Sequence, residues 1–279
     1  MLRVVVSDRP GHSGRLGGHS LTTVSQQGVR EQCSVMAMYS VAVVGAGMIG
    51  SSAAAHASLL CPSVVLVGGG EDGLPGAWAD QGRITRVFDS RPAWRELATQ
   101  SIRRYRSLEQ ESGVRLFTEV GYLTLVCPDT TDTGAFEESA EAVRREGFAC
   151  TRVTEGAAYP YLRLPEGAWG FSQPDHAGHL NPRALVEAQQ VVAAARGCSR
   201  LREEVVRVER EEEGHFTLHL SSGTSITAGQ VLLATGAFLN LSNHLKPFTE
   251  QEVALHLTTQ TVSRMMTLTT SLKLLCYKH

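Results

Sequence analysis

Cys-x-x-Cys pairs are missing from this chain. Its six cysteines, Cys33, Cys61, Cys127, Cys150, Cys198 and Cys276, are scattered. That spacing excludes the paired pattern of a structural zinc site or a disulfide framework, and reduced thiols in an intracellular compartment are expected. No group of metal ligands stands out either: His176 and His179 lie three apart without a third partner, so no metal is expected. A basic field is missing too. The net charge of −2 gives nucleic acid nothing to be drawn to, and no such partner is expected.

Charge of either sign is missing from residues 32–70, which raises the question of a membrane span. A spanning helix needs about 20 consecutive apolar residues. Gly45, Gly47, Gly50, His56 and Pro62 interrupt the stretch, and its strongly apolar parts are only 41–44 and 64–67. These read as short buried strands, so no membrane span is expected. Residues 1–38 carry Arg3, Arg9, Arg15 and Arg30 against Asp8 and Glu31, with no sustained apolar period and no secretory core. They read as a tail or targeting segment. The C-terminal Tyr-Lys-His is not a peroxisomal address; cytoplasmic, peroxisomal and mitochondrial locations all stay open.

What is present can build a core. The chain of 279 residues is 42% hydrophobic and 19% charged, which suits one or two packed domains. Residues 41–50 read VAVVGAGMIG. Residues 39–44 are β-branched and uncharged, as in a central parallel strand. The Ala-rich stretch Met48–Leu60 reads as a helix stopped by Pro62, and 63–67 as a second strand. A Gly-x-Gly-x-x-Gly at the first turn of such a β–α–β unit is a dinucleotide grip. Gly45 lets the chain turn, Gly47 lets backbone approach a diphosphate, and Gly50 lets helix and sheet pack closely. The helix N-terminus offers N–H groups and a positive dipole end to phosphate. An acid is expected about 20 residues on to meet a ribose hydroxyl. The second strand ends instead in Gly68, Gly69 and Gly70, with Glu71 arriving late.

Beyond the grip the chain does not continue in β–α units. GRITRVF (82–88) precedes a long helix started by Pro92 and ended by Gly113, with Trp94, Leu97, Ala98, Ile102, Tyr105 and Leu108 on one face. Residues 114–126 read as a bent strand or hairpin with Gly121 at the bend, 134–146 as a helix, and 159–178 as a Pro- and Gly-rich connector. Residues 178–197 carry a helix capped by Asn181, opened by Pro182 and closed by Gly197. A β-meander follows from 203, ending in QVLLATGAF (230–238).

The ordered set VAVVGAGMIG, GRITRVF, GHLNPRAL, EEVVRVE and VLLATGAF, over about residues 39–262, resembles the FAD-dependent oxidoreductases of the D-amino-acid-oxidase superfamily. Within it, the arginine segment is most similar to monomeric sarcosine oxidase and pipecolate oxidase. The resemblance implies an α/β (α+β overall) chain. A glutathione-reductase-type, Rossmann-like FAD-binding domain with its β-meander occupies 39–88 and 176–240, and an incomplete α+β substrate domain occupies 89–175 and 241–279.

By that resemblance Gly45, Ala46, Gly47, Met48, Ile49 and Gly50 line the FAD diphosphate, Val205 gives backbone contacts to adenine, and Ala234, Thr235 and Gly236 close over the cofactor. Arg83 lies by the flavin ring and Arg86 meets the substrate carboxylate, for which a planar, always-charged guanidinium is suited. An ordinary ion pair with Asp89 or Glu96 is the other reading of either arginine. The implied activity is oxidation of a secondary amine or amino acid, sarcosine- or pipecolate-like, by hydride transfer to flavin, with molecular oxygen reduced to peroxide. Such relatives run longer, and Lys246, Lys273 and Cys276 take no family role, so a truncated, non-catalytic flavoprotein-like chain is the alternative. A nicotinamide-dependent dehydrogenase is a further one, which the meander disfavours.

Overall fold

The computed structural model describes residues 3–4, 38–69, 76–79, 82–127, 133–154, 166–212 and 214–236. In chain order the elements are β1 (Arg3–Val4), β2 (Met38–Val44), α1 (Met48–Leu60), β3 (Val64–Val67), β4 (Arg83–Thr85), α2 (Pro92–Ser112), β5 (Phe117–Glu119), β6 (Tyr122–Val126), α3 (Gly134–Arg145), β7 (Thr151–Thr154), β8 (Trp169–Gln173), β9 (Gly178–Leu180), α4 (Pro182–Ala195), β10 (Ser199–Leu201), β11 (Val205–Arg210), β12 (Phe216–Leu220) and β13 (Ser225–Leu233). Two compact units result. Unit 1 comprises Met1–Leu74 and Ala193–Val253, and unit 2 comprises Pro75–Val192 and Ala254–His279.

Unit 1 is one seven-stranded sheet in the order β10-β3-β2-β13-β12-β11, with β1 also on β13. β10, β3, β2 and β13 run parallel, while β11, β12 and β13 form the antiparallel meander. Val-rich, uncharged strands suit the buried centre of such a sheet. Ala42, Val44, Val65, Val67, Val205, Leu218 and Ala228 share one core cluster. α1 follows β2 after three residues, and its Ala-rich sequence favours helix. It ends at Cys61, in extended backbone before Pro62, because the residue before a proline is pushed out of the helical region.

Unit 2 holds two three-stranded sheets, β4-β9-β5 and β6-β8-β7. Its core gathers Val87, Phe88, Ile102, Ala140, Val143, Phe148 and Phe171. α4 starts as its sequence predicts: Asn181 Oδ1 accepts from the N–H groups of Arg183 and Ala184 at 3.1 and 3.2 Å.

Three sequence expectations are corrected in unit 2. Residues 114–126 do not pair as a hairpin, because β5 joins β9 while β6 joins β8. Gly121, at φ +75, redirects the chain between the two sheets, and its N–H donates to Ala177 O at 3.0 Å. The connector 159–178 contains β8, the central strand of its sheet. Gly170 there reads as a loop residue, yet a Cβ on it would stand 2.0 Å from Thr124 O, so the glycine permits close strand packing. On α2, Trp94 and Leu97 are 56% exposed, whereas Thr99 and Ile102 are buried. The inward stripe is turned toward Arg95, whose Nε meets Glu146 at 2.8 Å. That ion pair, and Arg91 stacked over Trp94 at 5.5 Å, hold the first turns without burying the apolar residues predicted there.

Candidate functional site

The first candidate site lies in unit 1, where β2 passes into α1. Val44 O accepts from Ala234 N–H at 2.7 Å, and Gly45 N–H donates to Val67 O at 2.7 Å. The ends of β2, β3 and β13 are thereby drawn into one corner. Gly45 has φ +106, and a Cβ on it would lie 2.4 Å from Ala234 O. A Cβ on Gly50 would lie 1.7 Å from Gly45 O, so the first turn of α1 sits directly on the strand end. Gly68, at φ +138, brings its own Cβ position to 3.1 Å from Ala46 N. These three glycines let backbone meet backbone where no side chain fits.

Gly47 differs from them. It is the N-cap of α1 at φ −80, ψ −168, extended backbone open to any residue. Among the described residues no side chain caps this helix end, and no acid stands in its first turn to meet the positive end of the helix dipole. Ser51 Oγ donates back to Ala46 O at 3.1 Å and steadies the loop. Thr235 Oγ1, next to Ala234 in the corner, is buried without a hydrogen-bond partner among the described residues. Gly236 has φ +62, with open space around its Cβ position.

The predicted residues Gly45, Ala46, Gly50, Ala234 and Thr235 are thus brought together, with Gly47, Met48 and Ile49 in the same loop and first turn. Val205 is not at this corner. It opens β11, the far strand in the sheet order, and its side chain is 5% exposed in the core shared with Val65 and Val67. Cys198, beyond α4, is half-buried, and burial pushes its thiol pKa up, as befits a packed residue rather than a nucleophile. Glu71, Lys246, Lys273 and Cys276 lie outside the described residues, as does the tail or targeting segment 1–38 apart from Arg3, Val4 and Met38.

The second candidate site, in unit 2, is the arginine segment. Arg83 Nη2 donates to Ala77 O, which ties β4 to the short turn before it. Arg86 lies three residues on, with its guanidinium 5.0 Å from the Tyr122 ring centroid. Its Nε is buried without a hydrogen-bond partner among the described residues, and Nη2 lies 3.9 Å from Asp89 Oδ2. Asp89 is engaged elsewhere: it accepts from Arg91 N–H at 3.0 Å and from Arg91 Nε at 3.3 Å. Burial pushes the Asp89 pKa up. The Arg91 bonds and the charges of Arg91 and Arg86 outweigh that and hold it below the usual value. Arg86 is therefore held by ring stacking and a long ion pair, with donor capacity left over.

Sequence reasoning missed the residue that fixes this segment. Gln173, fully buried on β8, accepts from Val87 and Phe88 N–H at 3.3 and 3.2 Å and donates to Asp175 O and His176 O at 2.9 Å each. A glutamine in the run WGFSQ gives no local sign of this role. Glu109 was missed as well. It accepts from Leu116 and Phe117 N–H at 2.8 and 2.9 Å. Burial raises its pKa, but those bonds and Arg106 bring it below the usual value.

The sequence profile described as FAD dependent oxidoreductase matches residues 40–274. The chain belongs to the FAD dependent oxidoreductase family. The match reaches past residue 262, where the earlier resemblance ended, and it decides between flavin and nicotinamide in favour of FAD. No curated protein matches the chain.

Among solved structures, this FAD dependent oxidoreductase is similar to NikD, an unusual amino acid oxidase essential for nikkomycin biosynthesis. Identity is 23% with a TM-score of 0.62, covering 76% of this chain and 54% of NikD. It is similar to glycine oxidase from Geobacillus kaustophilus at 22% identity and TM-score 0.61, over 76% and 58% of the two chains. It is similar to L-proline dehydrogenase from P. horikoshii at 21% identity and TM-score 0.66, over 77% and 57%. Likeness at this identity speaks for the fold. The chain spans little more than half the length of these structures.

The residues present fit the family's cofactor. The corner at Gly45 and Gly50 is closed to side chains by the protein's own backbone, the first turn of the helix facing it carries no acid, and the Thr235 hydroxyl there has no hydrogen-bond partner among the described residues. Among the described residues, no cluster of three or more His, Cys, Asp or Glu is placed to hold a metal, and no helix is long and apolar enough to cross a membrane.

Proposed function

We propose that unit 1 holds the diphosphate of FAD on the corner formed by Gly45, Ala46 and Gly47. Met48 and Ile49 line the path, Ala234, Thr235 and Gly236 close over it, and Val205 gives backbone to the adenine. We further assign to 39–88 and 176–240 the role of FAD-binding domain and to 89–175 and 241–279 that of a partial substrate domain. The carrying observation is the corner itself: backbone from Gly45, Gly50 and Ala234 meets where no side chain fits, at the start of α1, whose N-cap Gly47 brings no side chain and whose first turn has no acid. A glycine at 47 leaves the N–H groups of that helix end open to a diphosphate.

Arg86 is the anchor for a substrate carboxylate, and Arg83 serves the flavin side. Arg86 suits its task because stacking on Tyr122 aims the fork while leaving donors unpaired. When bound, FAD supplies two-electron oxidation at the carbon beside the nitrogen of an amine or amino acid, which becomes an imine, and oxygen takes the electrons to form peroxide. The substrate class is a small secondary amine or amino acid of the sarcosine, pipecolate or proline kind.

The test is reconstitution of purified protein with FAD, followed by peroxide release on each of those substrates. Gly47→Val is expected to lose about 1 kcal/mol of stability, since valine is a poor helix N-cap, but to stay folded and bind FAD about tenfold or more weakly because its branches crowd the diphosphate path. Retention of FAD at the original affinity would overturn the proposal. A protein that takes up FAD yet oxidises none of these amines would point to the non-catalytic alternative.

A further inference from the structure

The meander of unit 1 has two faces. Val208, Leu218 and Ile226 turn inward to the core. Glu209, His219 and Ser225, each next in line to one of them, share the other face, since side chains alternate along a strand. His219 on β12 stands opposite Arg207 on β11 and Ser225 on β13. Leu220 N–H donates to Thr224 O at 2.9 Å. His219 and Ser225 are therefore the next, non-hydrogen-bonded pair, the kind whose side chains lie closest.

Three side chains on three neighbouring strands are joined in a line. Ser225 Oγ lies 2.9 Å from His219 Nδ1, and His219 Nε2 lies 2.7 Å from Glu209 Oε2. Arg207 Nη2 pairs with the other oxygen of the same carboxylate. The bond from His219, helped by the Arg207 charge, outweighs a slight burial effect and holds the Glu209 pKa below the usual value. An ionised carboxylate can only accept, so Nε2 carries the proton. The neutral imidazole then has its lone pair at Nδ1, and the Ser225 hydroxyl donates to it. Acid, base and hydroxyl are thus each oriented by the next, the arrangement that activates a nucleophile. The imidazole and carboxylate side chains are 36% and 37% exposed, so the line is open to a small molecule.

We propose that Ser225 is a nucleophile that accepts an acyl group from an activated acyl donor, a thioester or an aryl ester. As Ser225 Oγ bonds to the acyl carbon, its proton passes to His219 Nδ1. The bond from that carbon to the leaving sulfur or oxygen breaks, and the leaving group takes the proton from Nδ1. The product is an O-acyl serine. Glu209 is a positioning residue, which fixes the ring without touching the acyl group. No electrons are transferred and FAD plays no part, so this chemistry is independent of the glycine corner.

The experiment treats the full chain with p-nitrophenyl acetate and follows acetyl groups residue by residue with fragmentation mass spectrometry. Ser222, whose hydroxyl bonds that of Thr224 at 2.9 Å, is the internal comparator. Ser225 is expected to be acetylated about a hundredfold faster than Ser222, the gain a positioned base supplies. His219→Ala should bring Ser225 down to the Ser222 rate, and added imidazole should restore part of the difference, which a merely structural loss would not allow. Glu209→Gln keeps the shape but no longer demands one tautomer, and should slow Ser225 about tenfold. It carries the test if His219→Ala fails to fold. Equal rates at Ser225 and Ser222 in the unaltered chain would overturn the proposal. So would a Ser225 rate that survives either substitution unchanged, or acetyl that settles on His219 and never reaches Ser225.

Discussion

At the end of β2, unit 1 leaves side chains out so that backbone from three strand ends and a helix can meet. At the end of β4, unit 2 brings side chains in from distant elements to hold one stretch of backbone in place. In the first case Gly45 and Gly50 are fixed by what would collide with a Cβ, the nearest atoms being backbone oxygens at 2.4 and 1.7 Å. In the second, Val87 and Phe88 are fixed by Gln173, and Leu116 and Phe117 by Glu109. A corner built by omission has no give, because backbone cannot rotate aside as a side chain can. A segment built by long polar side chains is specified by satisfied bonds, and it fails when one member is lost.

The comparison is broken most sharply at Gly50. An alanine there puts its Cβ against Gly45 O, and α1 has to lift from the strand end. Gly50→Ala is expected to lose more than about 3 kcal/mol of stability, beyond ordinary overpacking, together with FAD binding. Thermal unfolding and flavin titration read both. A melting temperature equal to that of the unaltered chain would mean that the corner relaxes, and the distinction between the units would fall.

Gln173→Leu tests the other half. It keeps similar bulk but leaves two N–H groups and two carbonyls without their partner. A cost of about 2 kcal/mol is expected from the stranded donors, smaller than at Gly50 because the segment can shift toward water. It should also weaken substrate more than it weakens FAD, since the residues released directly follow Arg86 in sequence. If the variant melts as the unaltered protein does and its substrate KM is unchanged, Gln173 is filler and not a strut.

How much of this was legible in the sequence follows from the same contrast. VAVVGAGMIG shows its corner because omission is local: the glycines, the apolar strand before them and the Ala-rich helix after them lie within one short stretch. The caps of α4 were legible for the same reason, with Asn181 bonding residues only two and three positions on. Gln173 was not, since its partners at 87 and 88 are 86 and 85 residues away. The face of α2 was read correctly at Ile102 and Tyr105, which reach the core, and misjudged in its first turns, where Arg95 pairs with Glu146, 51 residues on, and a hydrophobic period cannot see an ion pair.

A last substitution separates conformation from crowding, which coincide at Gly45. Gly113, the C-cap of α2, has φ +72 and lies in the left-handed region as Gly45 does. Nothing lies within 4 Å of the Cβ it would carry. Gly113→Ala therefore meets only the backbone penalty, about 1 kcal/mol, and should leave FAD affinity untouched. Gly45→Ala meets that penalty plus the collision with Ala234 O, so the difference between the two variants' unfolding free energies isolates what close backbone packing contributes. Equal losses at Gly45 and Gly113 would show that the glycine corner is held by its backbone angles alone.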